Sequence, residues 1–235
     1  MAQEMGQDRW AGVWDDISSG GPQRWRAVDE ESEKVSFAHI EASQPAYLQG
    51  AVPTVFCPLA GDDKFAAYAF RQGWNVRTLE WVSKAVERMR AQIGPESEWT
   101  RETVGDHLLW RHTSGRAVLY EGDMFTTVDA LVGAVDVVYD KDSFGALQIN
   151  DRPSFVSKVG AYVKPGGIIY SEVKYKDTER DRGPPFHLDR EAMESTFASH
   201  FSYEKELGEL YPLKGGGLRA NWKQTGHILR RTQSP

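Results

Sequence analysis

Three carboxylates each stand at the end of a short apolar run. Glu80 closes Asn75-Val76-Arg77-Thr78-Leu79, Asp123 follows Ala117-Val118-Leu119-Tyr120-Glu121-Gly122, and Asp140 closes Val135-Asp136-Val137-Val138-Tyr139. An ionised carboxylate only accepts hydrogen bonds, so at a strand tip it can take both vicinal hydroxyls of a ribose, an amino group or a positive charge. Acids on neighbouring tips repel a pyrophosphate at close range. Neither Gly-x-Gly-x-x-Gly nor Gly-Lys-Ser/Thr follows the first apolar run, Thr54-Val55-Phe56-Cys57-Pro58-Leu59, which argues against dinucleotide and phosphate cradles. The chemistry that fits is a cationic sulfonium carried on a nucleoside: S-adenosylmethionine as cofactor, with S-adenosylhomocysteine as product.

Each acid also has an ordinary structural role open to it. Glu80 could cap the next helix, Asp123 could close a turn after Gly122, and Asp140 could pair with Lys141 or Arg152. His187 reads as a loop histidine. Cys57, inside the first run, reads as core packing with an unreactive thiol. Recurrence of acids at successive tips is what favours a site.

The elements that must hold these tips alternate. Strands are predicted at 54–59, 75–80, 117–121, 135–139 and 168–173, with helices at 62–72, from 80 to about 92, and at 152–163. Gly73 and Lys164-Pro165-Gly166-Gly167 act as stops, and residues 93–114 read as an excursion. A polar loop at 175–182, a helix at 189–200 and strands at 202–210 and 224–230 complete the chain. Strands separated by helical lengths imply a parallel sheet covered on both faces. The expected class is α/β, a Rossmann-like methyltransferase fold: a mostly parallel seven-stranded sheet with an antiparallel C-terminal hairpin at its edge. In such a sheet ligands bind beyond the carboxyl ends of the strands.

Residues 1–50 are polar and carry Trp10, Trp14 and Trp25. Trp10 and Trp14 share a helix face, so this segment is expected either to dock as a terminal helix or to act as a lid over 51–235 within the same domain. A chain of 235 residues suits one domain. The 28 Lys and Arg against 34 Asp and Glu, net -6, argue against a nucleic-acid partner. One cysteine gives no internal disulfide and no multi-cysteine metal site. The absence of a signal-peptide profile and of an apolar run approaching about 20 residues leads to the expectation of a cytoplasmic protein without membrane contact, a monomer acting on a small molecule.

Val55-Phe56-Cys57-Pro58-Leu59-Ala60-Gly61, the strand ending in Glu80, Gly122-Asp123-Met124-Phe125, Val137-Val138-Tyr139-Asp140-Lys141 and Gly183-Pro184-Pro185-Phe186 together resemble the thiopurine S-methyltransferases in order and spacing. The resemblance runs from about Trp10 to Arg230. It implies that Trp10 and Trp14 cover the cofactor, that Leu59 and Gly61 contact it from the first loop, that Glu80 holds the ribose, and that Asp123 and Met124 flank the adenine, with Asp140 beside them. It further implies an acceptor site of Trp25, Lys141, Pro184, Phe186 and Arg219, with Lys141 and Arg219 steering an anion and Asp140 holding Lys141. Asp62 stands where the family commonly has Lys, Ala60 where it has Cys, and Lys141 where it has Arg, which exchanges a two-pronged donor for a single ammonium. The implied activity is S-methylation of a small thiol or another soft sulfur or selenium nucleophile. Halide or hydrosulfide methylation is the alternative, and a cofactor-binding protein without turnover the second.

Overall fold

A computed structural model describes residues 12–16, 31–213 and 221–232. In chain order the elements are α1 (12–16), α2 (Ser32–Ala42), β1 (Thr54–Pro58), α3 (Phe65–Arg71), β2 (Asn75–Glu80), α4 (Ser83–Ile93), β3 (Trp99–Val104), β4 (His107–His112), β5 (Ala117–Glu121), β6 (Val135–Lys141), α5 (Ser143–Ala146), α6 (Arg152–Tyr162), β7 (Val163–Lys176), α7 (Arg190–Phe197), β8 (Phe201–Tyr211) and β9 (Trp222–Arg231). The sheet order is β3-β4-β5-β2-β1-β6-β7-β9-β8. Its centre, β5-β2-β1-β6-β7, is parallel, and both flanks are antiparallel.

The sheet therefore has nine strands among the described residues, where the sequence reading has seven. The two additions, β3 and β4, lie in the supposed excursion and pair antiparallel across Gly105-Asp106, with Gly105 at φ +59. Only Trp99 of the six β3 residues is buried, so this edge strand carries no apolar alternation to announce it. The C-terminal hairpin stands as expected, with β8 at the edge.

Burial on both faces explains the unbroken apolar runs of the central strands. On one face Phe37 and Ile40 of α2, Phe65 and Ala69 of α3 and Val86 and Met89 of α4 pack against Val55, Val76, Val137 and Tyr139. On the other, Phe144, Phe155, Val159, Met193 and Phe197 pack against Phe56, Val138, Ile169 and Leu229. The strand order reverses between β2-β1 and β6-β7, so the crevice for a ligand opens at the tips of β1 and β6. No described helix is long and apolar enough to cross a membrane.

Candidate functional site

The first loop begins where Pro58 ends β1. Leu59 takes φ 44 and Gly61 φ 57, both left-handed, and the chain turns sharply across the tip of β2. Glu80 holds this turn. One of its oxygens accepts the Gly61 N–H at 2.8 Å and the other the Val82 N–H at 2.8 Å, so a single buried carboxylate ties the first loop to the start of α4. Its cap role and its rim position coexist. Burial pushes its pKa up, and the three backbone N–H groups of Val82, Gly61 and Trp81 oppose that rise. Trp14 is buried against Ala85, and its ring would lie 3.5 Å from a Cβ at Gly61, so α1 covers the first loop. Trp10, Trp25 and Arg219 lie outside the described residues.

On the β5 side, Asp123 accepts the Phe125 N–H at 3.0 Å, and the Met124 side chain is sunk in the core. Sequence reasoning missed His107. This β4 histidine is buried, meets the Asp123 carbonyl at 3.2 Å through Nε2, and fills the space a side chain at Gly122 would need, with its Cδ2 only 2.5 Å from a Cβ built there. The unforeseen hairpin thus props the Gly122-Asp123 loop. Gly122→Ala is expected to displace His107 and cost about 1 to 3 kcal/mol of stability, read as a lowered urea midpoint.

At the β6 tip the structure corrects one expectation: Asp140 does not hold Lys141. Asp140 is fully enclosed, with Oδ1 accepting from Ser143 Oγ at 2.5 Å and the Phe144 N–H at 3.2 Å, and Oδ2 from Ser171 Oγ at 2.8 Å. A carboxylate three residues before a helix start is satisfied most cheaply by that helix's own donors. Both oxygens are turned inward, so Asp140 positions the β6 tip and presents nothing to a ligand. Burial raises its pKa to about 6 against the pull of these three donors.

That rise has a measurable sign. The folded chain keeps the proton that the unfolded chain, at about 3.8, has already lost, so this group's contribution to stability falls as pH rises from about 4 to about 6. At about 1.4 kcal/mol per pH unit the loss is about 3 kcal/mol. Asp140→Asn, which keeps an acceptor for Ser143 and gives Ser171 a donor, is expected to flatten the decline. Urea unfolding of both proteins at acid and neutral pH checks this difference.

Lys141 pairs instead with Asp63 at 3.4 Å and donates to Ser32 Oγ at 3.2 Å. Burial pulls its pKa down, but the carboxylates of Asp63, Glu172 and Asp142 outweigh burial and hold it above the ordinary lysine value. Asp63 also accepts the Phe65 N–H at 2.8 Å, so one ion pair links the first loop, the start of α3 and the β6 tip. A cavity of about 20 Å³ lies there, lined by Cys57, Leu59, Asp63, Tyr139, Lys141 and Ser143. Burial pushes the Cys57 thiol well up, which keeps it inert. A broader surface hollow of about 500 Å³ lies along α7 and contains none of the strand-tip residues.

Beneath Lys141, Glu172 of β7 is fully buried and accepts from Ser36 Oγ at 2.5 Å, Tyr170 Oη at 2.8 Å and Tyr211 Oη. The loop after β7 folds back onto α5, with the Phe186 N–H on the Gly145 carbonyl at 2.8 Å. His187 is structural: its Nδ1 accepts the Lys176 N–H at 3.0 Å and its Nε2 faces Asp189 at 3.4 Å. The structure thus places Leu59, Gly61, Glu80, Asp123 and Lys141 at or just beyond the C-terminal ends of the central strands, with the Met124 side chain in the core and Pro184 and Phe186 on the loop beside α5.

A profile of the thiopurine S-methyltransferases matches residues 23–210. The chain belongs to the thiopurine S-methyltransferase family. It is accordingly an S-adenosylmethionine-dependent methyltransferase. Relatives named thiopurine S-methyltransferase include one from Legionella pneumophila (strain Corby), 29% identical over 167 residues, covering 67% of this chain and 72% of that protein. Another, from Xanthobacter autotrophicus (strain ATCC BAA-1158 / Py2), is 26% identical over 174 residues, covering 74% and 78%. Among solved structures, the 1,6-didemethyltoxoflavin-N1-methyltransferase of Burkholderia thailandensis superposes with a TM-score of 0.62 at 15% identity, covering 96% of this chain and 90% of that one. A glycopeptide N-methyltransferase complexed with sinefungin gives 0.59 at 15%, covering 86% and 87%. At such identities these two show the fold.

Proposed function

We propose that this chain methylates a small thiol, or a related soft sulfur or selenium nucleophile, at the C-terminal rim of the sheet. One observation carries the choice of a soft acceptor. The carboxylates and histidine that could serve as a base around the β6 and β7 tips already have partners: Asp140 holds three donors, Glu172 three hydroxyls, Asp63 the Lys141 ammonium, and His187 a backbone N–H. An amine or alcohol would need one of them to take its proton, whereas a thiol of pKa about 8.5 supplies a few per cent of thiolate at neutral pH unaided.

The donor set fits the cofactor. The Glu80 oxygens accept backbone N–H groups, and the lone-pair capacity left to them suits a ribose hydroxyl. Gly61 brings its backbone N–H onto that carboxylate and Trp14 packs against the same loop, and on this reading Asp123 and the Met124 backbone would border the adenine. When bound, S-adenosylmethionine supplies an electrophilic methyl group on a positively charged sulfur. The chain's own work is to align the reactants and exclude water, and orientation accounts for much of the rate in such a displacement. Lys141, clamped by Asp63, fixes the first loop against the β6 tip, and Pro184 and Phe186 wall the acceptor side.

The test is turnover of the full chain with S-adenosylmethionine and a panel of aromatic thiols, hydrosulfide, a selenol, iodide, an amine and a phenol, followed as S-adenosylhomocysteine formed. Thiols should lead, with kcat/KM rising with pH along each acceptor's own ionisation. Faster turnover of the amine or the phenol would refute the reading.

A further inference from the structure

Asp142 is the first residue past the tip of β6, and its backbone takes φ 62. Residues other than glycine rarely hold that left-handed conformation, and they do so where their surroundings impose it. Here two inward side chains impose it. Oδ2 of Asp142 receives the Lys174 ammonium at 2.7 Å and Oδ1 the Gln224 side-chain N–H at 3.2 Å, while Lys174 also donates to the Gln224 side-chain oxygen. Gln224 has no exposed surface, and the Lys174 side chain is 9% exposed. The three members come from the β6 tip, from β7 and from the facing position on β9, and each meets the other two. A closed polar cluster of this kind, away from water, holds its elements in one arrangement.

The clasp reaches the acceptor side by two routes. From Asp142 the chain turns directly into α5, where the Ala146 N–H closes on the Asp142 carbonyl at 3.0 Å and the Gly145 carbonyl accepts the Phe186 N–H at 2.8 Å. From β7, the Lys174 carbonyl accepts the Leu188 N–H at 3.0 Å. The segment that carries Pro184 and Phe186 is therefore hung between α5 and β7, and one carboxylate joins its two supports. The first loop is fixed separately, through Glu80 and through the pairing of Asp63 with Lys141.

We infer that Asp142 is a positioning residue for the methyl acceptor: its clasp with Lys174 and Gln224 sets where Pro184 and Phe186 stand, and so governs the fit of the acceptor and not that of the cofactor. This rests on the reading of that loop as the acceptor wall. A residue needed only to turn the chain would be replaced by glycine without loss, because glycine adopts a positive φ freely. Glycine at 142 keeps the turn and removes the clasp.

The test uses the full chain with S-adenosylmethionine and thiophenol. Asp142→Gly is expected to raise KM for thiophenol about tenfold, with KM for S-adenosylmethionine and the calorimetric affinity for S-adenosylhomocysteine within about twofold of the parent. Asp142→Asn, which tolerates the same φ and keeps an oxygen for Lys174, should fall between. Asp142→Gly combined with Lys174→Met leaves neither charge buried alone and should show the same KM rise as Asp142→Gly, not a larger one. It provides the comparison if the single variant does not fold. An unchanged thiophenol KM in both glycine variants, or an equal rise for S-adenosylmethionine, overturns the inference. Amide exchange reads the clasp without turnover: the Phe186 and Leu188 amides should exchange faster in Asp142→Gly while those of Gly61 and Val82 keep the parent rates, and unaltered Phe186 and Leu188 rates overturn the inference as well. Faster exchange at these two amides in a protein that prefers the amine or the phenol of the panel, with the KM rise falling on that compound, would sustain the clasp and refute the thiol reading.

Discussion

Glu80→Ala is expected to weaken S-adenosylhomocysteine binding about a hundredfold, and Glu80→Gln about tenfold. The carboxylate acts twice. It offers lone pairs to a ribose, and it anchors Gly61 and Val82, which shape the loop on which the cofactor lies. Hydrogen bonds to a charged group contribute about 1.5 to 3 kcal/mol each, so loss of the ribose contacts alone reaches two orders of magnitude, and relaxation of the first loop adds to it. The amide keeps one acceptor and loses the charge, hence the smaller effect. Because burial raises the Glu80 pKa, its protonation should weaken binding on the acid side at a higher pH than an ordinary glutamate would. Calorimetry of parent and variants across pH measures both effects. An affinity for Glu80→Ala within threefold of the parent would remove Glu80 from the site.

How far the sequence carries this picture differs from residue to residue. Glu80 was legible because Asn75 to Leu79 follows the helix stop at Gly73 and carries an acid at its end, and the structure ends that strand at the same residue. The parallel centre was legible for a similar reason, since strands buried on both faces have nowhere to put polar residues. Asp140 was half legible. Its place at a strand tip was right, but the donors that enclose it come from positions 143, 144 and 171, and only the β6-β7 pairing brings Ser171 alongside. Its charged neighbour in sequence, Lys141, alternates to the other face of the strand and finds Asp63 instead. His107 was hidden because β3, the partner of β4 in the hairpin, shows almost no burial pattern, so only one of the two strands that deliver it carries an apolar signature. Arg152 drew notice only as a partner for Asp140, since the lack of an acceptor for its buried Nε and Nη2 among the described residues is a property of the assembled surroundings.

Glu172 was the least legible residue, and its removal should be the most damaging to the fold. It sits inside β7 between buried neighbours, where a strand pattern predicts an apolar side chain. What reconciles a carboxylate with full burial is three hydroxyl donors from three elements: Ser36 of α2, Tyr170 of β7 and Tyr211 of β8. Burial first, and then the neighbouring Glu172 charge, push both phenols up, so they remain donors throughout the working pH range. Glu172→Ala strips the acceptor from all three buried hydroxyls, at about 1 to 3 kcal/mol for each left unpaired, and removes one of the charges that balance Lys141. The expected loss is about 3 to 5 kcal/mol of unfolding free energy by urea titration. Glu172→Gln, which retains a carbonyl oxygen, should lose about half as much. Ser36 is the α2 contact of this cluster, so amide exchange in Ser32–Ala42 should accelerate before the sheet opens. A Glu172→Ala protein within about 1 kcal/mol of the parent, with α2 amides still protected, would show that these hydroxyls find other partners and that the clasp does not hold α2 to the sheet.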